Sequence, residues 1–290
     1  MADVTDRREI DIEFGGYRVH IVIDGNTGPV VVLGSGAGGR LVHWSDTVAN
    51  LAHDHTVVRF NRPGIPVTRI PARQNRRTVR EEAGRIAAVL DAVGRPDPAV
   101  VVGHSVAGFY AEGFARLYPH RTRALLLLDS SVASDRAPRV ALPLAAKLVV
   151  ADAGARFLDG LHLQAPLGRV GLALMHRRRP DGLDNKTRAE IRCAAAEPGF
   201  PAALFSELVV YHELEIELCA LRATNPLPPV RRIVVTAHTG WRTYRWRAQQ
   251  IQMAELLDAE HVTIAPAWHL VMIDQPDRTA DLIRAIGSDS

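Results

Sequence analysis

The 290 residues contain only two cysteines, Cys193 and Cys219. That is too few for a disulfide framework or a cysteine-built zinc site, and two buried thiols in a reducing cytosol is the plain expectation. Lysine is nearly absent. Of the 35 basic residues only Lys147 and Lys186 are lysine, and all the others are arginine. The arginines are scattered along the chain, with three together only at "HRRRP" (His176–Pro180), so the net charge of +3 builds no contiguous basic face and no nucleic-acid partner is expected. No apolar run reaches the roughly 18 residues of a membrane span, and the opening "MADVTDRREIDIEF" lacks the apolar stretch of a secretory leader. A cytoplasmic chain without a membrane partner is the expectation. One further absence is local: from Val234 to Gln250 there is no Asp or Glu.

Composition is that of an ordinary globular chain, 47% hydrophobic and 23% charged. The chain is long enough for one α/β domain with a large insertion. "EIDIEF" and "YRVHIVID" alternate apolar and polar residues, as half-exposed strands do, and Gly15-Gly16 between them suits a hairpin. Continuous apolar runs follow at Pro29–Leu33, His55–Phe60, Pro98–Gly103, Arg123–Asp129 and Arg231–Ala237. Such runs fit strands covered on both faces. Between them lie helical patterns. Val79, Ala83, Ile86, Val89, Leu90 and Val93 recur on one helical face, ended by Gly94. Other helical stretches are "FYAEGFARLYP", "RAQQIQMAELL" and "RTADLIRAI". The alternation predicts an α/β fold with a mostly parallel sheet and helices on both faces. One long stretch interrupts it. Residues 131–228 are rich in Ala and Leu, helical in pattern and far longer than a crossover, so they read as a helical insertion within a core of 1–130 and 229–290.

The chemistry-bearing motif is "VVVGHSVAGF". A buried-type strand runs into a helix, and Gly103 and Ala107 flank Ser105 two residues away on either side. A sharp strand–helix turn needs small residues there, and it presents the serine hydroxyl above the sheet in strained backbone. Gly108 permits further close packing. Gly34, Gly36 and Gly39 in "LGSGAGG" match the spacing of a dinucleotide-binding loop, but the next strand ends in "RFNRPG" without the acid that would hold a ribose. No organic cofactor and no metal are expected.

Together "LGSGAGG", "FNRPG", "GHSVAG", "LLLLD" and "AWHLVMIDQP" resemble the α/β-hydrolase superfamily over nearly the whole chain, with the insertion where that family carries a cap. The resemblance implies Ser105 as nucleophile and His269 as base, in the order serine then histidine. It implies Ala37 and Val106 as the backbone donors of an oxyanion hole, with Ser35-Gly36 standing for the usual His-Gly. His104, beside the nucleophile, reads as a packing or lining residue. The acid departs from the common pattern, since the stretch after strand seven is empty. Some branches, haloalkane dehalogenases among them, take the acid from the end of strand six, where this chain has Asp129. Asp274 is the fallback, with a capping or loop role as its other reading. Asn61 replaces an aspartate that is normally structural. Arg40, Trp44 and Trp241 are candidates for substrate contact, with surface or core roles as the alternative. Tyr244 and Trp246 share that choice between walling a pocket and packing.

Three functional readings stay open. The first is a serine hydrolase acting on a small-molecule ester, thioester or lactone. The second is a cofactor-free dioxygenase or lyase in which a His–Asp pair abstracts a proton. The third is a non-catalytic ligand-binding member. Ser105 at the nucleophile position argues against epoxide hydrolase and haloalkane dehalogenase chemistry, both of which use a carboxylate there. Substrate identity and oligomeric state are not legible in the sequence.

Overall fold

The computed structural model describes residues 6–63, 77–133, 143–163, 165–166, 185–197, 200–240 and 243–288. Strands β1 (Arg7–Phe14) and β2 (Tyr17–Asp24) form the hairpin, with Phe14 opposite Tyr17. Gly15 and Gly16 hold φ of 60° and 77°. Positive φ at both central positions is the geometry that joins two twisted strands in two residues, and glycine adopts it without a Cβ penalty.

The apolar runs become β3 (Val30–Gly34), β4 (Thr56–Phe60), β5 (Ala99–His104), β6 (Thr122–Leu128) and β7 (Arg231–Ala237), followed by β8 (Glu260–Ile264). The sheet order is β1-β2-β4-β3-β5-β6-β7-β8. β2 joins β4 antiparallel, and every pairing from β4 to β8 is parallel. Successive side chains of a strand face opposite ways. Val101 therefore enters one hydrophobic core, while Val100 and Val102 enter the other. Both are buried, which is why these strands read as unbroken apolar runs. Each fully buried Val or Leu contributes about 1.5–3 kcal/mol.

Helices α2 (Val79–Val93) and α3 (Ala107–Leu117) cover one face, while α1 (Ser45–Leu51) and α10 (Pro276–Ser288) cover the other. In α2 the Thr78 hydroxyl accepts from Glu81 N–H at 3.0 Å, and Gly94 ends the helix at φ 73°. Both are cap signals carried by the local sequence. α8 (Tyr244–Leu256) buries Met253 and Ala254 on the α2–α3 side. The short α9 (Val271–Asp274) precedes α10.

The insertion between β6 and β7 is helical where described: α4 (Leu144–Gly160), α5 (Asn185–Ala196), α6 (Phe200–Val209) and α7 (Tyr211–Thr224). α7 buries Leu214, Leu218 and Leu221 and packs Tyr211 on Phe109 of α3, ring centres 5.3 Å apart. Its Glu217 carboxylate accepts from Val79 N–H at 2.7 Å and Arg80 N–H at 3.1 Å, capping the start of α2. The insertion is thus bound to the core by charge-assisted hydrogen bonds as well as apolar area. The expectation of two buried thiols is corrected. Cys193 is exposed on α5 and Cys219 is half-buried on α7, because both lie on helices that keep a solvent face; neither forms a disulfide. Among the described residues no helix is long and apolar enough to cross a membrane.

Candidate active site

β5 ends at His104, and α3 begins at Ala107. Ser105 sits in the turn between them at φ 55°. The left-handed region costs a non-glycine residue about 1–2 kcal/mol, and surrounding bonds must hold it there. Gly108 N–H and Ser131 N–H both donate to Ser105 C=O, at 2.9 and 3.0 Å. The turn is also tight. A Cβ at Gly103 would lie 2.5 Å from Ala107 O and 2.7 Å from Gly108 Cα, and one at Gly108 would strike the Ser130 hydroxyl. These contacts are the reason small residues flank the serine.

Asp129 follows β6 and also takes positive φ, 41°. The turn aims its carboxylate across the ends of β6 and β7. Oδ1 accepts from Ala237 N–H at 3.0 Å and from the Trp246 indole N–H at 2.7 Å. Oδ2 lies 2.7 Å from His269 Nδ1. His269 Nε2 lies 3.0 Å from Ser105 Oγ. A carboxylate accepts only, so Nδ1 carries the imidazole proton and Nε2 turns its lone pair to the serine hydroxyl. Ser105, Asp129 and His269 thus meet in one hydrogen-bonded line, although His269 lies 140 residues from Asp129 and 164 from Ser105 in the chain. Such a line can remove a proton from a serine hydroxyl, or from a substrate held within reach of Nε2. The Asp129 side chain is 3% exposed, whereas that of His269 is 43% exposed, so the line opens to solvent at the base. No group of metal-ligating side chains occurs among the described residues.

The other sequence candidates fall into clear places. Asp274 is buried and accepts from Trp268 N–H at 2.7 Å, so it braces the loop that carries His269. His104 is 2% exposed and donates from Nε2 to His269 C=O at 2.7 Å. Burial first, and then neighbouring His269, push the His104 imidazole well below its ordinary value. It is a neutral brace on the base loop. Val106 is buried at the head of α3. Ala37 lies in the loop after β3, partly buried against the core.

Two substrate-contact candidates, Trp44 and Arg40, lie buried with partners inside the protein. Trp44 is fully buried, and its indole donates to Ser35 Oγ at 3.0 Å, so it supports the glycine loop from within the core. Arg40 is 8% exposed and pairs with Glu197 of the insertion at 2.6 Å. Both side chains are taken up by the protein's own polar groups, because a buried indole N–H or guanidinium without a partner is costly. Tyr244 is exposed, Trp246 holds Asp129, and Trp241 lies outside the described residues.

Sequence reading missed Arg62 and Glu207. Both are buried, and Arg62 Nε donates to Glu207 Oε1 at 2.9 Å. Arg62 stands beside Asn61 in "FNRPG" and carries no pattern of its own. Glu207 was findable as the single acid in the apolar run "PAALFSELVV", since a buried charge without a partner is too costly to keep.

The fold and this site define an α/β hydrolase, and the comparisons agree. The model of a family described as "Alpha/beta hydrolase family" matches residues 30–282, and the chain belongs to that family. The chain is 32% identical over 124 residues to a pyrrolizixenacetamide deacetylase of Xenorhabdus hominickii, a match covering 42% of this chain and 45% of that protein. It spans less than half the length of the curated relatives it matches. Among solved structures it is similar to Cfl2 of Burkholderia cenocepacia, with TM-score 0.74 and 20% identity over 98% of this chain and 97% of that one. It is also similar to the enol-lactonase of Burkholderia xenovorans LB400, with TM-score 0.67 and 20% identity over 97% and 100% of the two chains. At that identity the likeness speaks for the fold.

Proposed function

We propose that the protein is a serine hydrolase that cleaves a small-molecule ester, thioester or lactone through an acyl-enzyme on Ser105. The observation that carries this reading is the line Asp129 Oδ2–His269 Nδ1 at 2.7 Å and His269 Nε2–Ser105 Oγ at 3.0 Å.

A serine hydroxyl is a weak nucleophile until a base accepts its proton. As Ser105 Oγ attacks the carbonyl carbon, Nε2 of His269 takes the hydroxyl proton, and the Asp129 carboxylate stabilises the imidazolium through Nδ1–H. Negative charge moves to the carbonyl oxygen, where the Ala37 and Val106 N–H groups receive it. The tetrahedral intermediate collapses, the leaving oxygen or sulfur takes the proton back from Nε2, and the acyl group stays on Ser105. Water then attacks the acyl group in the same way, with His269 again as base, and frees the acid. The name of one curated relative, a deacetylase, supports acyl chemistry of this kind. No metal or organic cofactor enters any step.

Intact-mass labelling with a fluorophosphonate tests the reading. One adduct on wild type and none on Ser105→Ala is the expected result. No adduct on wild type overturns it. Substrate turnover that survives Ser105→Ala moves the reaction to proton abstraction by His269, and ligand binding without turnover across an ester and lactone panel leaves a non-catalytic member.

A further inference from the structure

The loop Ser35–Gly39 touches the insertion through a buried charge cluster that the triad does not use. Helix α6 lays Phe200, Leu204 and Glu207 along one face, spaced i, i+4 and i+7. That face lies on Gly38. A Cβ at Gly38 would come within 3.1 Å of Leu204 Cδ1 and 3.3 Å of Phe200 Cζ. Glu207 Oε2 accepts from Gly38 N–H at 2.7 Å. Arg62 Nε lies 2.9 Å and Arg77 Nη1 2.5 Å from the same carboxylate. Arg62 reaches on to the loop itself. Its guanidinium donates to Ser35 C=O, and its Nη2 donates to Gly36 C=O at 2.6 Å.

The last contact has a direct consequence. Gly36 C=O and Ala37 N–H belong to one peptide plane and point in opposite directions. Arg62 Nη2 and Gly39 N–H, the latter at 2.9 Å, both donate to the carbonyl end of that plane and fix it. Gly36 itself lies against Ser105, since a Cβ there would be 2.8 Å from Ser105 Cβ. The Gly36–Ala37 peptide thus starts beside the nucleophile, while the N–H of Gly38 is engaged by Glu207.

We propose that Glu207 is a positioning residue through which the insertion sets the oxyanion loop: it fixes Gly38 N–H and Arg62, and Arg62 aims the Gly36–Ala37 peptide. The oxyanion hole is complete only while α6 is docked, so a helix of the insertion determines whether charge on the carbonyl oxygen is stabilised. Arg40, paired with Glu197 at 2.6 Å, ties the far end of the loop to the same insertion. Burial pushes the Glu207 carboxyl up, but Arg62, Arg77 and the Gly38 N–H outweigh it and hold the group below its ordinary value, so it is charged at neutral pH. The proposal rests on the serine-hydrolase reading for its catalytic consequence, but not for its structural half.

Two measurements on Glu207→Gln and Glu207→Ala separate the halves. The first is the amide proton shift and exchange rate of Gly38 by NMR. A carboxylate acceptor draws the wild-type proton downfield. In Glu207→Gln it moves upfield, and in Glu207→Ala it also loses exchange protection. The second is the fluorophosphonate labelling rate with its pH profile. The expected loss is at least about tenfold for Glu207→Gln and up to roughly 10²–10³-fold for Glu207→Ala, as for loss of one oxyanion donor, with the pH midpoint of labelling unmoved. Glu207→Gln keeps the side-chain volume and one acceptor, so it decides the matter even where Glu207→Ala does not fold. An unchanged Gly38 resonance in Glu207→Gln overturns the proposal. So does a shifted resonance with labelling at the wild-type rate. A wild type that does not label at all sinks the serine reading, and the Gly38 resonance still decides whether Glu207 sets the loop.

Discussion

The indole N–H of Trp246 donates to Asp129 Oδ1 at 2.7 Å, so the residue that orients His269 is itself held by a tryptophan from α8. The other donor to that oxygen is the main chain of Ala237, at the end of β7. β7 thus contributes a backbone N–H to the site and no acid of its own. Removing only the indole donor, by Trp246→Phe, keeps most of the packing and leaves the carboxylate one bond short. A lost bond to a buried charged group costs about 1–3 kcal/mol. The expected outcome is a labelling rate several-fold to about tenfold lower and a lower melting temperature, read by fluorophosphonate kinetics and thermal unfolding.

The two buried aspartates near His269 separate cleanly by substitution. Asp129→Asn leaves the shape intact but favours the wrong imidazole tautomer, and labelling should fall by about 10⁴-fold. Asp274→Asn weakens the bond to Trp268 N–H, so its effect should be chiefly on stability, with labelling reduced far less. A reversed ranking of the two rates would falsify the assignment of Asp129 as the orienting acid.

Gly103 tests the tightness of the nucleophile turn. Ala has no room there, because its Cβ would meet backbone atoms of Ala107 and Gly108 at 2.5 and 2.7 Å. Backbone must move, and overpacking of this kind costs about 1–3 kcal/mol. Gly103→Ala should lower the urea midpoint accordingly and slow labelling, since the shift falls on Ser105. Gly94→Ala is the control. It faces open space at φ 73°, so it should carry only the backbone strain, about 1–2 kcal/mol, and leave labelling unchanged.

His104 sets a pH dependence of known sign. Burial keeps its imidazole neutral in the folded chain, well below the ordinary 6.5 that it regains on unfolding. As pH falls below about 6.5 the unfolded state takes up the proton first, so stability drops, by up to about 1.4 kcal/mol per pH unit for this one group. His104→Gln can still offer an N–H to His269 C=O but does not titrate. Urea unfolding from pH 7.5 to 5 should show the wild-type advantage over His104→Gln shrinking as pH falls. Parallel stability curves for the two proteins would rule out a neutral buried His104.

The sequence by itself determined the elements and where along the chain the chemistry could lie. Unbroken apolar runs marked strands buried on both faces, Gly15-Gly16 marked the hairpin, Gly94 ended α2, and small residues around Ser105 marked the strand–helix turn. These signals are local, because each reports a period, a cap or a backbone angle within a few residues. Asp129 came into view because the stretch after β7 has no acid and some branches of the family the chain resembles take theirs from the end of strand six. What the tertiary structure alone decided was partnership. Trp246 and Ala237 hold Asp129 from over a hundred residues away. Trp44 turned inward to Ser35, Arg40 was claimed by Glu197, and Glu207 crossed from α6 to Gly38 and Arg62. A buried charge must find its counter-charge wherever the fold brings one within about 3 Å, and no spacing along the chain encodes that distance.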